Sequence, residues 1–410
     1  MEKESKAAIC LVTAILRNLY IIMRKHSLLR IALLLGQDLG HYREVLAGVL
    51  RYQEEQDRPW LFQDAPPDRR LLSSLLQWQP HGIIGHFYEP GLVNELKRIG
   101  IPCVSTTMTL RSLKFPAVDV ENAEVGRLAA DYFLERGYRH FAYLGSAKAL
   151  YSTERLRGYK ARVEAKGYGV EVGNAESLPY LPLEKRWDYP GRAAERWLRS
   201  LPPETALLVS NDLPARSVVR ACLRLGRRVP QEIAVMGVDN DEAECRMTNP
   251  PLTSIALPGR AIGYEAAKMM DAWLQKGMNR APAPSRWLAP LGIVERASTE
   301  VFATNDPALV KALRFIHESS TEAIGVPEVA AAAGISRRTL ENRVRTRLSL
   351  SVLELIHSIR LRHARRLLVE SDLSITELAH RSGFSSLRQF ELVFTRFMGT
   401  TPTSFRHANL

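Results

Sequence analysis

One short pattern occurs twice near the carboxyl end of this chain, and it constrains the fold more than any other feature. Its copies span residues 329–340 and 378–390. In each copy an alanine lies four residues before a glycine, an apolar residue follows the glycine, and a serine comes shortly afterwards. The alanine lets two helices cross closely, the glycine can adopt the positive φ of a tight turn, and the serine can cap the next helix. The pattern predicts two helix-turn-helix units, at about 326–347 and 375–397.

A single copy would also suit an ordinary αα-hairpin, whereas two copies with arginines on each second helix favour DNA binding. Residues 306–410 contain 14 arginines and one lysine, and guanidinium groups make the forked contacts that phosphate and guanine accept. We expect phosphate contacts to set the position and side chains of each second helix to read bases. The predicted DNA-contacting residues are Ser336, Arg337, Arg338, Thr339, Asn342, Arg343, Ser386, Leu387, Arg388 and Gln389.

Apolar residues recur at helical spacing between the two copies, which predicts one long joining helix over residues 352–369. This helix carries Arg360, Arg362, Arg365 and Arg366, which fit a phosphate-facing stripe and a solvated helix face equally well. Because the joining helix fixes the separation of the two units, one chain should cover two major-groove segments of duplex DNA about 10 base pairs apart.

Composition indicates a globular protein of two or three domains, with 46% hydrophobic residues and a net charge of +12. The positive charge suits a polyanionic partner without being specific for one. The four cysteines show no CxxC spacing, so neither a zinc site nor a disulfide framework is predicted, and a reducing cytoplasm fits. Arg17 and Asn18 interrupt the apolar start of the chain, so no membrane span is expected. We interpret residues 1–27 as a leader that is disordered or reflects a start codon assigned too far upstream.

Residues 28–300 alternate short apolar runs with amphipathic helical stretches. This alternation is typical of βαβ units with a parallel sheet, and its length predicts two α/β lobes facing one another. The predicted strands are 31–35, 60–63, 82–85, 103–105, 141–144, 206–209 and 233–237.

Polar side chains follow several of these strands. Asn211 comes after one strand, Asp239 and Asp241 after another, and Arg155 lies near the start of a helix that follows a third. Ligands of doubly wound sheets bind beyond the carboxyl ends of the strands, and these groups suit sugar hydroxyls. The alternative for each Asp or Asn is helix capping. The first strand is followed by Gln37, Asp38, Tyr42 and Arg43.

Two resemblances support these interpretations. Residues 307–406 resemble the DNA-binding domain of AraC-type activators in Gly383-Phe384-Ser385-Ser386, Arg396-Phe397 and Thr401-Pro402. Residues 28–300 resemble the sugar-sensing domain of LacI-type repressors in Arg155-Leu156-Arg157-Gly158-Tyr159, Ser210-Asn211-Asp212 and Gly237-Val238-Asp239. The second resemblance implies that Arg155, Asn211 and Asp239 bind the ligand, with Asp241 and Arg43 as weaker candidates.

The order of these two regions is similar to that of the xylose operon regulators, and the junction at 292–300 is similar as well. The resemblance implies an α/β two-lobed, periplasmic-binding-protein-like sensor at 28–300, a linker at 301–306, and an all-α domain with two helix-turn-helix units at 307–410. It implies a sugar-responsive transcription activator for a pentose such as xylose. The implied partners are double-stranded DNA, the sugar effector, RNA polymerase and a second copy of the chain in a homodimer. Tyr42 stands where that family has an acidic residue, which leaves the sugar open.

Other classes of function remain as alternatives. One is a sugar-modifying or nucleotide-using α/β enzyme fused to a DNA-binding tail, and another is a dimerisation module without a ligand. The chain contains no GxxxxGK[ST], HExxH or GxSxG pattern, so no catalytic residue, metal ligand or cofactor is predicted.

Overall fold

The computed structural model describes residues 28–35, 40–57, 60–174, 191–276, 282–300, 302–304 and 306–409. The leader predicted over 1–27 lies outside the described residues, as do Gln37 and Asp38. A two-lobed α/β region precedes an all-helical region, which confirms the predicted fold class. None of the helices in the described ranges is both long and apolar enough to cross a membrane.

The first lobe is built on a parallel sheet with helices on both faces. Ile31 and Leu33 enter one hydrophobic core while Ala32 and Leu34 enter another, as a parallel sheet buried on both faces requires. Its strands are β1 (Leu29–Leu34), β2 (Trp60–Asp64), β3 (Gly82–Gly85) and β4 (Cys103–Ser105), in the order β2-β1-β3-β4. Its helices are α1 (Gly40–Gln56), α2 (Leu72–Gln77), α3 (Pro90–Ile99) and, from later in the chain, α9 (Gly259–Lys276).

The second lobe has a six-stranded sheet covered on both faces. Its strands are β6 (His140–Gly145), β7 (Val170–Asn174), β8 (Thr205–Val209), β9 (Ile233–Asp239), β10 (Thr253–Ala256) and β12 (Gly292–Val294). The order is β12-β10-β9-β8-β6-β7, and β12 is antiparallel to β10. The covering helices are α4 (Asn122–Glu135), α5 (Leu150–Glu164), α6 (Arg192–Ser200), α7 (Asp212–Arg224) and α8 (Glu242–Arg246).

The chain passes between the lobes three times. It crosses between β5 (Val118–Val120) and α4, between β10 and α9, and between β11 (Arg286–Leu288) and β12. The short strands β5 and β11 pair with each other in parallel. A few connecting segments of this kind can act as a hinge when two rigid lobes rotate.

The helical region contains two compact cores that share one long helix. Leu355 and Ile356 of α13 belong to the first core, whereas Leu361 and Leu368 belong to the second. The two helix-turn-helix units are therefore fixed to opposite halves of α13. The helices are α10 (Pro307–Ser319), α11 (Val326–Ala333), α12 (Arg337–Leu348), α13 (Val352–Glu370), α14 (Ile375–Arg381), α15 (Leu387–Met398) and α16 (Pro402–Asn409).

Three of the four arginines on α13 lie in the protein interior. They therefore form neither the phosphate-facing stripe nor the solvated helix face that the sequence suggested. Arg360 donates from Nε to the carbonyl of Ser320 at 2.8 Å, and Arg362 and Arg365 contact the sensor. Arg366 is the exposed member of the set. The spacing of charged residues along a helix does not show which part of the protein packs against it. Here the sensor packs against α13.

Candidate functional sites: an interlobe cavity and two helix-turn-helix units

A cavity of about 70 Å³ lies between the two lobes, at the carboxyl ends of their strands. It brings together four of the five predicted ligand-binding residues, whereas Arg43 lies on the exposed side of α1 and is not among the lining residues. A larger groove of about 780 Å³ beside α4 and α5 is open to solvent and lined largely by apolar surface. The interlobe cavity is lined by His41, Tyr42, His86, Thr107, Asp119, Tyr151, Arg155, Ser210, Asn211, Asp212, Leu213, Pro214, Asp239, Asp241, Glu244 and Leu257.

Arg155 is the one guanidinium among the described residues that line this cavity, and it is held on both sides. Its Nε donates to Oδ1 of Asn122 at 2.9 Å, and its Nη1 donates to the carbonyl of Ser210. Asn122 begins α4 and in turn donates from Nδ2 to Asp119 at 3.3 Å. The guanidinium is thus fixed before any ligand arrives, which is the preorganisation that strong binding needs.

Asp239 ends β9 in a strained backbone conformation, with φ of 116°. Asn211 donates from Nδ2 to Oδ2 of Asp239 at 2.9 Å. Burial raises the pKa of Asp239 to about 6, although Arg155 opposes the shift. Burial also raises the pKa of Asp119 to about 6. The cavity therefore holds two carboxylates that take up protons more readily than exposed ones.

Asp212 and Asp241 shape the loop that follows β9. Asp212 is buried and accepts hydrogen bonds from Oγ of Ser254 at 2.6 Å and from N of Asp241 at 2.8 Å. Burial, reinforced by the nearby Asp239 carboxylate, raises its pKa well above the ordinary value. Asp241 caps α8 and also accepts from N of Gly40 at 2.7 Å. Because Gly40 belongs to the first lobe, Asp241 ties the lobes together across the cleft.

Sequence reasoning named Tyr42 after the first strand but missed His41 and His86 as lining residues from the first lobe. Oη of Tyr42 is hydrogen-bonded to Nδ1 of His86, and Nε2 of His86 to Oγ1 of Thr109 at 2.6 Å. Burial lowers the pKa of His86 to about 3 and that of His41 to about 4, so both rings are neutral at pH 7. The sequence did offer one indication of His86, which comes directly after β3. Ligands of doubly wound sheets bind beyond the carboxyl ends of the strands, and this argument applies to His86 as it does to Asn211.

The turns of both helix-turn-helix units have the predicted geometry. Gly334 and Gly383 have φ of 67° and 81°. Oγ of Ser336 accepts from N of Thr339 at 3.1 Å, and Oγ of Ser386 accepts from N of Gln389 at 3.3 Å. A side chain at position 383 would place its Cβ 2.4 Å from the Ser320 carbonyl, so this turn requires glycine. The two serines therefore begin α12 and α15, the second helices of the two units.

The side chains of the predicted DNA-contacting residues differ in how accessible they are to DNA. Arg343 donates from Nη1 to both oxygens of Asp306, at 2.7 and 2.8 Å, which holds α12 against the start of α10. Gln389 accepts from N and Oγ of Ser385 at 3.2 and 2.8 Å. Thr339, Leu387 and Gln389 are partly buried. The exposed members are Ser336, Arg337, Arg338, Asn342, Ser386 and Arg388.

Comparisons with known proteins agree with this architecture. Residues 130–299 match the periplasmic binding protein-like domain family, and residues 329–408 match a helix-turn-helix domain family. The xylose operon regulatory protein of Escherichia coli (strain K12) is 29% identical over 388 residues, which cover 93% of this chain and 97% of that protein. Its counterpart in Haemophilus influenzae is 26% identical over 92% of this chain and 98% of that protein.

A solved structure of a xylose-binding transcription activator aligns with 94% of this chain and 99% of its own, at 27% identity and a TM-score of 0.58. Each of these similarities spans both the sensor and the helical region. The resemblance inferred from the sequence is therefore confirmed: over nearly its whole length the chain is similar to the xylose operon transcription regulators, with a periplasmic-binding-protein-like sensor domain before a DNA-binding helix-turn-helix domain.

Proposed function

We propose that this protein is a cytoplasmic transcription activator, and not an enzyme, whose sensor binds a neutral pentose such as xylose. The helix-turn-helix units bind tandem major-groove segments, and the active form is a homodimer that contacts RNA polymerase. The observation that supports the proposal best is the convergence of Arg155, Asn211 and Asp239 in one cavity enclosed by both lobes. Domain boundaries at 28–300 and 307–410 fit this division of labour.

The charges around the cavity favour an uncharged ligand. Among the described residues, the carboxyl groups of Asp119, Asp212, Asp239, Asp241 and Glu244 line it, together with one guanidinium, that of Arg155. Carboxylate oxygens accept hydrogen bonds from sugar hydroxyls, whereas they repel a phosphate or carboxylate on the ligand. The small volume favours a monosaccharide over an oligosaccharide. Together these features support a neutral aldose over a sugar phosphate or a sugar acid.

The enzyme alternative has less support from the same residues. Asp212 and Asp241 are already engaged as acceptors from backbone and side-chain donors, which suits a structural role. His86 is neutral and is bonded through both ring nitrogens, so it is a poor general base.

Calorimetry with a panel of aldopentoses and aldohexoses tests the sensor. We expect at least one neutral aldopentose to bind without turnover, and the corresponding sugar phosphate to bind at least about 10-fold more weakly because of repulsion by the carboxylates. Conversion of the sugar to a product would support the enzyme alternative instead. Failure of every neutral monosaccharide to bind would remove the proposed ligand class.

Footprinting on a tandem-site promoter, comparing Arg338→Ala with Arg388→Ala, tests the DNA-binding units. Both side chains are exposed near the start of a recognition helix. Wild-type protein should protect two segments about 10 base pairs apart. Each variant should weaken protection of its own segment, with a loss of about 1–3 kcal/mol. Equal weakening of both segments by either variant would contradict separate reading by the two units.

A further inference from the structure

Helix α13 forms side-chain hydrogen bonds with two different parts of the sensor. At the end of α4, in the second lobe, the buried carboxylate of Glu135 accepts hydrogen bonds from Oγ of Ser358 and Nη1 of Arg362. One turn of α13 further on, Nη2 of Arg365 donates to the carbonyl of Pro290. Pro290 lies between β11 and β12, in one of the three crossovers between the lobes.

The first contact belongs to a dense charge cluster. Nη2 of Arg136 donates to Glu295 at 2.6 Å, and Nε of Arg362 lies 3.6 Å from the other oxygen of Glu295. Burial alone would raise the pKa of Glu295, but Arg136 and Arg362 hold it below its ordinary value. The Arg136 carbonyl also accepts from N of Ala303 in the linker at 2.9 Å. These bonds fix α13 and the linker to the second lobe.

In the second contact the partner is a neutral carbonyl, whereas Arg362 in the first contact pairs with the Glu135 carboxylate. Arg365 is 1% exposed, and its Nε and Nη1 have no hydrogen-bond partner among the described residues. Burial lowers the pKa of this guanidinium to about 10. Loss of the single bond to Pro290 would leave a buried cation without a hydrogen bond, which is costly. Arg365 must therefore follow Pro290 when the crossover moves, or change its environment.

One connection between the crossover and the sugar cavity is the pairing of β5 with β11. In the register of β5 with β11, Trp287 lies opposite Asp119, and N of Glu121 donates to the Leu288 carbonyl at 2.8 Å. Asp119 lines the cavity and accepts from Asn122, which holds Arg155. A displacement of β5 on ligand binding thus reaches Pro290 through bonded neighbours, the kind of contiguous network that can carry coupling.

We propose that Arg365 is the positioning residue through which α13 senses movement of the β11–β12 crossover when the sensor closes on its sugar. The inference rests on the proposed function. With the Glu135–Arg362 contact as the fixed point and the Arg365–Pro290 contact as the moving one, closure tilts the second half of α13. The guanidinium of Arg365 lies 5.5 Å from the ring centre of Phe405, in the core of the second helix-turn-helix unit. The tilt therefore changes how that unit is placed relative to the first.

The test uses the full chain with Arg365→Met, which retains much of the buried volume, and Arg365→Lys, which retains a charged donor. Sugar affinity is measured by calorimetry, and affinity for tandem-site DNA is measured with and without saturating sugar. We expect sugar to change wild-type DNA affinity by about 10-fold, a typical allosteric coupling. In Arg365→Met the ratio of the DNA affinities with and without sugar should approach one, while the sugar affinity stays within about 2-fold of wild type. Arg365→Lys should restore part of the ratio, and the control Arg314→Gln, at an exposed position of α10, should keep all of it.

If Arg365→Met binds sugar and DNA and still shows the wild-type ratio of DNA affinities with and without sugar, the proposal is overturned. Absence of sugar binding by the wild type would instead overturn the proposed function, which separates the two failures. Hydrogen exchange on the wild type gives a readout that does not depend on the variants folding. Sugar should change exchange at residues 289–294 and in the second half of α13, and unchanged exchange in α13 would also overturn the proposal.

Discussion

Asp239→Asn is expected to weaken sugar binding by at least about 100-fold while stabilising the sugar-free protein, because each hydrogen bond to a charged group contributes about 1.5–3 kcal/mol and the amide is a weaker acceptor. Asparagine has the same shape as aspartate, so it should adopt the φ of 116° at this position about as readily as the native residue does. The loss of affinity therefore follows from the charge and not from a disturbed backbone.

The gain in stability follows from the raised pKa. Burial raises the pKa of Asp239 from 3.8 to about 6, so the folded protein binds a proton between these values that the unfolded chain releases. Wild-type stability should consequently increase as the pH falls through 6, and the charged form should destabilise the fold at pH 7.5. Because part of the carboxylate reaches the cleft, we expect Asp239→Asn to raise the free energy of unfolding at pH 7.5 by no more than about 2 kcal/mol.

Urea unfolding at pH 7.5 and pH 5, together with calorimetry of sugar binding, measures both effects. When the pH is lowered from 7.5 to 5, the free energy of unfolding should increase less for Asp239→Asn than for wild type. Part of the pH dependence should persist, because the pKa of Asp119 is also raised to about 6. Asp57→Asn is a matched control, since Asp57 also has a positive φ, of 47°, but is exposed. Weaker sugar binding together with lower stability would indicate misfolding and contradict this account.

Local patterns in the sequence predicted the elements that bury continuous apolar runs. The strands at 82–85 and 103–105 coincide with β3 and β4, and the joining helix at 352–369 differs from α13 by one residue. Both turns followed from a glycine that must adopt a positive φ and a serine that caps a helix. These features depend on neighbours along the chain, so their physical causes are visible in the sequence.

Features that depend on distant partners could not be predicted in this way. The strands β5 and β11 have three residues each and pair across a separation of more than 160 positions, so neither has a local signature. The pairing of Arg343 with Asp306 depends on how α12 packs against α10, and the burial of Arg365 depends on how the helical region packs against the sensor. Similarly, nothing near His86 in the sequence indicates that Tyr42 will meet it across the first lobe. The cavity could be located from the sequence because ligands of doubly wound sheets bind beyond the carboxyl ends of the strands. That expectation depends on the topology of the sheet and not on individual side-chain contacts.

Phe390→Ala is expected to destabilise the second helix-turn-helix unit by about 3–5 kcal/mol, the usual effect of removing a fully buried aromatic side chain. Phe390 has no exposed surface, and its ring centre lies 5.2 Å from that of Phe384 and 5.4 Å from that of Phe394. These rings lie at the centre of the core that holds α14, α15 and α16 against the second half of α13. Removing the central ring leaves a cavity between its neighbours, and α15 loses the support that holds it in position for DNA.

Footprinting and thermal unfolding of the full chain distinguish this local effect from general unfolding. The first unit has its own core around Leu340 and Leu355, and the sensor has separate cores. Phe390→Ala should therefore lose protection of one DNA segment while keeping the other, with sugar affinity unchanged. Leu392→Ala, on the same helix at a site where the side chain is 65% exposed, should change stability by less than about 0.5 kcal/mol. Retention of both protected segments by Phe390→Ala would mean that the second unit does not depend on this core. Loss of both segments would mean that α13 couples the two units more tightly than their separate cores imply.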